Sequence, residues 1–234
     1  MKIENAVALV TGANRGIGLA FAKALVARGA RKVYAGARDP ASVALPGVVP
    51  IRLDVTKAED VAAAVAKCGD VTLVVNNAGV AQPGGFLLAD SEEVARRMLE
   101  VNFFGVLRMS KAFAPVLAAN GGGALLNVLS VASFFNPGGL AAYAASKSAA
   151  WSLTNSLRFE LAAQKTQVLA LHMGFVDTDL VKGLDVPKIH PDEIARIALD
   201  GLEAGLEEVL ADDRTRAVKA GMTEPRPFYL PKPG

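Results

Sequence analysis

The chain has 234 residues, 52% hydrophobic and 6% aromatic, and its 25 basic and 23 acidic side chains leave a formal charge of +2. That length is enough to bury a sizeable core, and the apolar content excludes disorder for most of the chain. Balanced charge without a Lys/Arg block argues against nucleic acid as a partner, and no apolar run reaches the ~18 residues of a membrane span. The lone Cys68 excludes an internal disulfide. No signal-like segment leads into the first apolar run, so the expectation is a cytoplasmic protein.

Ala6–Val10 has the continuous apolar character of a buried strand. Thr11-Gly12-Ala13-Asn14-Arg15-Gly16-Ile17-Gly18 follows it, and a helical pattern then runs to Gly29. Strand, glycine-rich turn and helix in that order are the context of a dinucleotide fingerprint. Glycines let the backbone approach a pyrophosphate, which sits at the positive end of the helix. The bland alternative is an ordinary tight strand-to-helix turn.

A second strand from Lys32 to Gly36 ends at Ala37-Arg38-Asp39. An acid about 20 residues past the glycines holds a ribose hydroxyl, whereas an Arg accommodates a 2′-phosphate. Ala37 offers no carboxylate and Arg38 follows it, which favours NADP(H) over NAD(H), with Arg15 able to reach the same phosphate. Asp39 stands against this by pairing with Arg38 or binding a hydroxyl itself, and both arginines are also explained as solvated surface charges.

Further strands are expected at 48–53, ending in Asp54-Val55, and at 71–75, running into Asn76-Asn77-Ala78-Gly79. A helix over 59–67 lies between them, and Ser91 to Ala119 reads as one long helix. Asn102 falls in its middle, where Asn is a poor helix former, and Pro115 is expected to kink or shorten its end. Strands at 123–129, 167–171 and 207–210 alternate with helices at about 140–163, from Pro191, and at 213–220. The fold class is therefore α/β, a Rossmann-like doubly wound parallel sheet of about seven strands with helices on both faces. A single domain spans 1–234, with 225–234 as an extended tail.

In that sheet Thr11, Asn76, Ser130 and His172 all follow strand ends, the edge at which such folds bind ligands. Tyr143 and Lys147, four apart, share one helix face. An ammonium beside a phenol lowers the phenol's pKa toward the range of an acid–base catalyst. Two distant histidines, His172 and His190, argue against a metal site, and His172 reads as a strand-end residue rather than a base. Phe134, Phe135, Leu140, Phe175 and Leu180 flank these motifs and line either an apolar pocket or the core.

With these residues together, the chain resembles the short-chain dehydrogenase/reductase family over about residues 5–210. Gly12-x-x-x-Gly16-Ile17-Gly18 matches its cofactor turn, and Asn76 to Gly79 its sheet-stabilising motif. Asn102, Ser130, Tyr143 and Lys147 match its catalytic tetrad, with Ser130 thirteen positions before the Tyr. The resemblance implies that Tyr143 protonates a carbonyl oxygen as hydride is delivered, that Ser130 orients that oxygen, and that Lys147 lowers the Tyr pKa and grips the nicotinamide ribose. Asn102, through its backbone, would hold a relay water. Cofactor contacts are implied for Gly12, Asn14, Arg15, Gly16, Ile17, Gly18, Arg38, Asp54, Val55, Asn76, Ala78, Gly79, Tyr143, Lys147, Gly174, Val176 and Thr178.

The expected activity is that of an NADP(H)-dependent carbonyl reductase on apolar ketones and aldehydes, in a homodimer or homotetramer. An NAD-dependent alcohol, steroid or sugar dehydrogenase and a non-catalytic NADP-binding redox sensor are the alternatives. Three departures stand out. Met173-Gly174 replaces the usual Pro-Gly and is expected to loosen its loop. Leu129 replaces a second Ser, and the segment from Thr178 to Pro191 is short where relatives carry a helical lid.

Overall fold

The computed structural model describes residues 1–230 other than Pro137, Lys182 and Leu184, with Leu180 described in its backbone only. Seven strands form one parallel sheet: β1 (Val7–Thr11), β2 (Lys32–Ala37), β3 (Val49–Arg52), β4 (Leu73–Asn76), β5 (Ala124–Val128), β6 (Gln167–His172) and β7 (Glu208–Leu210). Their order is β3-β2-β1-β4-β5-β6-β7. The order reverses direction between β1 and β4, the switch point where such sheets bind ligands.

The strands read as apolar runs because both faces are covered. Helices α1 (Gly16–Ala27), α2 (Ala58–Lys67), α3 (Ser91–Leu99), α4 (Gly105–Ala119), α5 (Ala141–Glu160), α6 (Pro191–Glu203) and α7 (Asp213–Ala220) connect or follow them. In β5 the side chains alternate, with Ala124, Leu126 and Val128 joining the core beneath α1 and α6. Leu125 joins the core beneath α2, α4 and α5 on the other face. Phe21 and Phe113 are fully buried anchors of the two cores, each stabilising the fold by roughly 1.5–3 kcal/mol.

Two expectations change here. The long helix expected from Ser91 to Ala119 is broken by a π-helical turn over Glu100–Phe104, where the Gly105 amide bonds the Glu100 carbonyl five residues back. The extra residue leaves the chain helical but shifts the face that Asn102 presents, and such turns concentrate at functional sites. Pro115 lies inside α4, which continues to Ala119. The tail also differs from an extended strand. Its described part turns at Pro227, whose carbonyl accepts from the Leu230 amide, and Phe228 packs near Phe135 with ring centroids 6.5 Å apart. Residues 231–234 lie outside the described residues.

Candidate active site

The turn after β1 is built on close approach. A Cβ on Gly18 would lie 2.1 Å from the Gly12 carbonyl oxygen and 2.5 Å from Asn77 Nδ2, so only glycine fits. Gly12 and Gly16 have φ of 66° and 54°, a region glycine enters at little cost. Asn77 fastens the turn from β4: its Nδ2 donates to the Thr11 carbonyl at 2.9 Å, and its amide and that of Ala78 both donate to Thr11 Oγ1 at 2.9 Å. The α1 N-terminus has neither a side-chain cap nor an acidic residue in its first turn. Its unpaired amide donors and positive dipole end suit a phosphate.

The other wall of this cleft is the loop after β6. Thr178 Cγ2 lies 3.3 Å from where a Gly16 Cβ would be, and Arg15, the α1 N-cap, pairs with Asp179 at 3.1 Å. Asn14 and Ile17 are half-buried in the turn, while Val176 is buried. Gly174 donates to Asp212 Oδ2 at 2.6 Å, Met173 is 3% exposed, and the Met173 carbonyl accepts from Val131. The loop expected to be loosened by the missing proline is therefore clamped from both sides.

Beyond β2, Ala37 is buried and Arg38 is exposed. Asp39 does not pair with Arg38: its Oδ1 accepts from the Ala41 amide and caps a short 3-10 turn. Asp54 stands near Arg38. Burial alone would raise its carboxyl, but bonds from the Thr56 amide and hydroxyl, together with the Arg38 charge, outweigh that and hold it below the ordinary range. Val55 is buried, with its side chain in the core beneath α2 and α4. Asn76 lies at the end of β4, but its side chain turns inward, donating to Asn127 Oδ1 at 2.8 Å, and leaves only main-chain atoms for a ligand.

The catalytic candidates converge at the ends of β5 and α5. Ser130 caps the 3-10 turn after β5, its Oγ accepting from the Ala132 amide at 3.1 Å. Tyr143 and Lys147 rise one turn apart on α5, with Lys147 Nζ 5.8 Å from the Tyr143 ring centroid. Lys147 Nζ is buried and donates to the Val128 carbonyl at 2.9 Å. Burial pushes its ammonium down to about 8.

The electrostatics correct one expectation. The Tyr143 phenol is held above its ordinary value by burial, and the Ser130 hydroxyl, not Lys147, pulls it partly back. The Lys147 ammonium is engaged by the Val128 carbonyl.

Asn102 is fully buried on the π turn. Its Oδ1 accepts from the Val80 amide and its Nδ2 donates to the Val80 carbonyl, both at 2.9 Å. A Cβ on Gly79 would meet this Oδ1 at 3.3 Å and Lys147 Nζ at 3.6 Å, so the loop after β4 touches Asn102 and Lys147 together.

Of the apolar residues flanking the motifs, Phe134 is core, stacked on His172 with centroids 4.3 Å apart. Phe175 lies under the Arg214 guanidinium, and the side chain of Leu180 lies outside the description. The open apolar depression is elsewhere: about 430 Å³ lined by Gly85, Phe86, Leu87, Leu88, Asn136 and Ala141 among others. Phe86-Leu87-Leu88 was legible as an apolar triplet in a glycine-flanked loop, but nothing in its spacing tied it to Tyr143. Among the described residues no group of three His, Cys, Asp or Glu side chains could hold a metal, and no helix is long and apolar enough to cross a membrane.

Comparison with known proteins bears on this arrangement. The pattern described as short chain dehydrogenase matches residues 6–187. Dehydrogenase/reductase SDR family member 4 of Oryctolagus cuniculus is 36% identical over 204 residues, covering 82% of this chain and 78% of that protein. The 3-oxoacyl-(acyl-carrier-protein) reductase FabG of Vibrio harveyi is 31% identical over 194 residues, covering 79% of each. The crystal structure of a short chain dehydrogenase from Burkholderia cenocepacia in complex with NADP superposes with a TM-score of 0.92 at 40% identity, over 96% of this chain and 95% of that one.

Proposed function

The chain belongs to the short chain dehydrogenase family, and from that premise we propose that it is an NADP(H)-dependent carbonyl reductase interconverting apolar ketones or aldehydes and their alcohols. The observation that carries this is the convergence of Ser130, Tyr143 and Lys147 beside a glycine turn whose helix end is free to take a phosphate.

NADP(H), when bound, supplies or accepts the hydride at the carbonyl carbon. Tyr143 gives its phenolic proton to the carbonyl oxygen, and in the reverse direction takes it from the alcohol. Ser130 holds that oxygen facing the phenol. Lys147, with its ammonium lowered to about 8, returns the proton to Tyr143 through exchange with solvent. Asn102 keeps the loop after β4 against α5. Gly12, Asn14, Gly16, Ile17 and Gly18 cradle the pyrophosphate. Asp54, Val55, Asn76, Ala78 and Gly79 line the adenosine and ribose side, while Gly174, Val176 and Thr178 line the nicotinamide side.

NADP is favoured over NAD by Arg38, which is exposed, has no ion-pair partner among the described residues, and stands beside an alanine where an acid would hold a ribose hydroxyl. Arg15 contributes less, being paired to Asp179. The depression lined by Phe86, Leu87 and Leu88 reaches α5, the helix that carries Tyr143, at Ala141 and supports an apolar substrate. A homodimer through α4 and α5 belongs to the same proposal, supported by the exposed rings of Phe104 and Phe159 beside and on those helices.

The test is loss of nicotinamide absorbance with NADPH or NADH over a panel of ketones and aldehydes, with Tyr143→Phe in parallel. Turnover with NADPH that Tyr143→Phe lacks supports the assignment. Equal turnover by Tyr143→Phe would remove the phenol from the chemistry.

A further inference from the structure

His172 ends β6 on the sheet face that α5 covers, fully buried, with its ring stacked on Phe134 and edge-on to Trp151. Its Nδ1 lies 3.1 Å from the Ser130 carbonyl oxygen. A carbonyl can only accept, so Nδ1 carries the hydrogen and Nε2 is left with a lone pair. No donor reaches that lone pair. Glu208 Oε1 lies 3.7 Å from Nε2, and the Glu208 carboxylate is itself engaged by Lys219. Burial, opposed by the bond to Ser130 and reinforced by Lys219, Arg158 and Lys147, pushes the imidazole down to about 3 and keeps it neutral.

An unsatisfied buried ring nitrogen costs about 1–3 kcal/mol. An aliphatic or phenyl side chain between Phe134 and Trp151 would avoid that cost, so filling space does not explain a histidine here. What the imidazole adds is its bond to the catalytic loop. The main chain already ties both neighbours of Ser130 to β6, with Leu129 bonding Leu171 and Val131 bonding Met173. The carbonyl of Ser130 takes two bonds, one from the Ser133 amide at 3.0 Å and one, from a side chain, from His172. Together with the Val131 and Ser133 amide bonds, that side-chain bond holds the peptide after Ser130, and with it the direction from which the Ser130 hydroxyl meets the phenol.

We propose that His172 is a positioning residue for catalysis, its Nδ1–H bond to the Ser130 carbonyl fixing how the Ser130 hydroxyl faces Tyr143. The proposal rests on the assignment of Ser130 and Tyr143 as the acid–base pair.

Two substitutions separate the bond from mere packing. In His172→Asn the side-chain amide stands where Nδ1 stood, whereas in His172→Gln it stands nearer Nε2. Tyr143 is titrated by ultraviolet difference absorbance against Tyr143→Phe, which needs no substrate. His172→Asn is expected to titrate as the wild type does, and His172→Gln about one pH unit higher. His172→Gln is also expected to lose ~10- to 100-fold in kcat, the scale of a small misplacement, with KM for NADPH held. Superimposable titrations and kcat for the two variants would overturn the proposal.

The wild-type protein supplies a check that does not depend on any variant folding. The chain has two histidines, so nitrogen-15 spectra of labelled histidine resolve His172. A neutral Nδ1–H tautomer at pH 7 is expected, and an Nε2–H tautomer would overturn the proposal. Tyr143→Phe separates the two levels. If it turned over carbonyls at the wild-type rate, the acid–base assignment would fall. If it is inert while the two His172 variants match, only the positioning role falls.

Discussion

Asn102 donates through Nδ2 to Ser146 Oγ at 2.9 Å, and that hydroxyl donates in turn to the Tyr143 carbonyl at 2.7 Å. One amide therefore braces the helix turn carrying the phenol and, through Val80, the loop after β4. Asn102→Ala strips three bonds at once, the one to Ser146 buried and the two to Val80 part-buried, and a buried orphaned partner costs about 1–3 kcal/mol. We expect a lower midpoint in urea unfolding, and in whatever protein remains folded a kcat reduced by roughly tenfold or more. Unchanged stability and kcat would mean that the π turn does not depend on this side chain.

In the proposed function Arg38 is the residue on which coenzyme choice turns. A charge-assisted contact contributes about 1.5–3 kcal/mol, so Arg38→Ala should raise KM for NADPH by roughly 10- to 100-fold while leaving NADH little changed. Arg15→Ala should do less, because Arg15 is already paired with Asp179. Steady-state kinetics with both coenzymes measures this, and an unaltered NADPH/NADH ratio in Arg38→Ala would sink the argument.

Gly18→Ala places a methyl 2.1 Å from a main-chain oxygen that cannot move without Thr11 and Asn77. NADPH binding, followed by quenching of Trp151 fluorescence or by calorimetry, should be lost, with stability falling by about 1–3 kcal/mol or more. Gly69→Ala, where nothing lies within 4 Å, is the control and should bind normally.

His172 also predicts the pH dependence of stability. Its folded pKa, about 3, lies below the ordinary value of 6.5, so the unfolded chain takes up a proton that the folded chain refuses. The stability it confers is whole above pH 6.5 and falls by about 1.4 kcal/mol per pH unit toward pH 3. Urea unfolding at pH 7, 6, 5 and 4 should show a shallower fall in His172→Asn than in the wild type. Parallel curves would place the imidazole in contact with solvent.

The order of strands and helices, and the glycine turn, were legible because buried parallel strands and tight phosphate turns leave local marks: continuous apolar runs, and glycine where a Cβ cannot fit. Tyr143, Lys147 and Ser130 were legible as a set through their spacing and their family resemblance. The π turn was not, since one extra residue in a helix keeps each local stretch helical in composition. Nor was the tuning of Tyr143, which depends on how deeply the phenol itself is buried and on its bond with the Ser130 hydroxyl. Met173 misled for a similar reason, because the clamp on its loop comes from Asp212, 39 positions on.

That clamp has a consequence for the order in which the protein comes to life. The glycine turn and its brace from Asn77 are complete once the first 79 residues have been made. The loop carrying Ser130 must wait: Ser130 is tied to His172, His172 to Ala211 through its carbonyl, and Gly174 to Asp212. On the ribosome, a chain that has emerged only through β6 would own one wall of the nucleotide cleft and no finished chemistry. The far wall and the anchor of the Ser130 loop both arrive with the residues from Gly174 to Asp212.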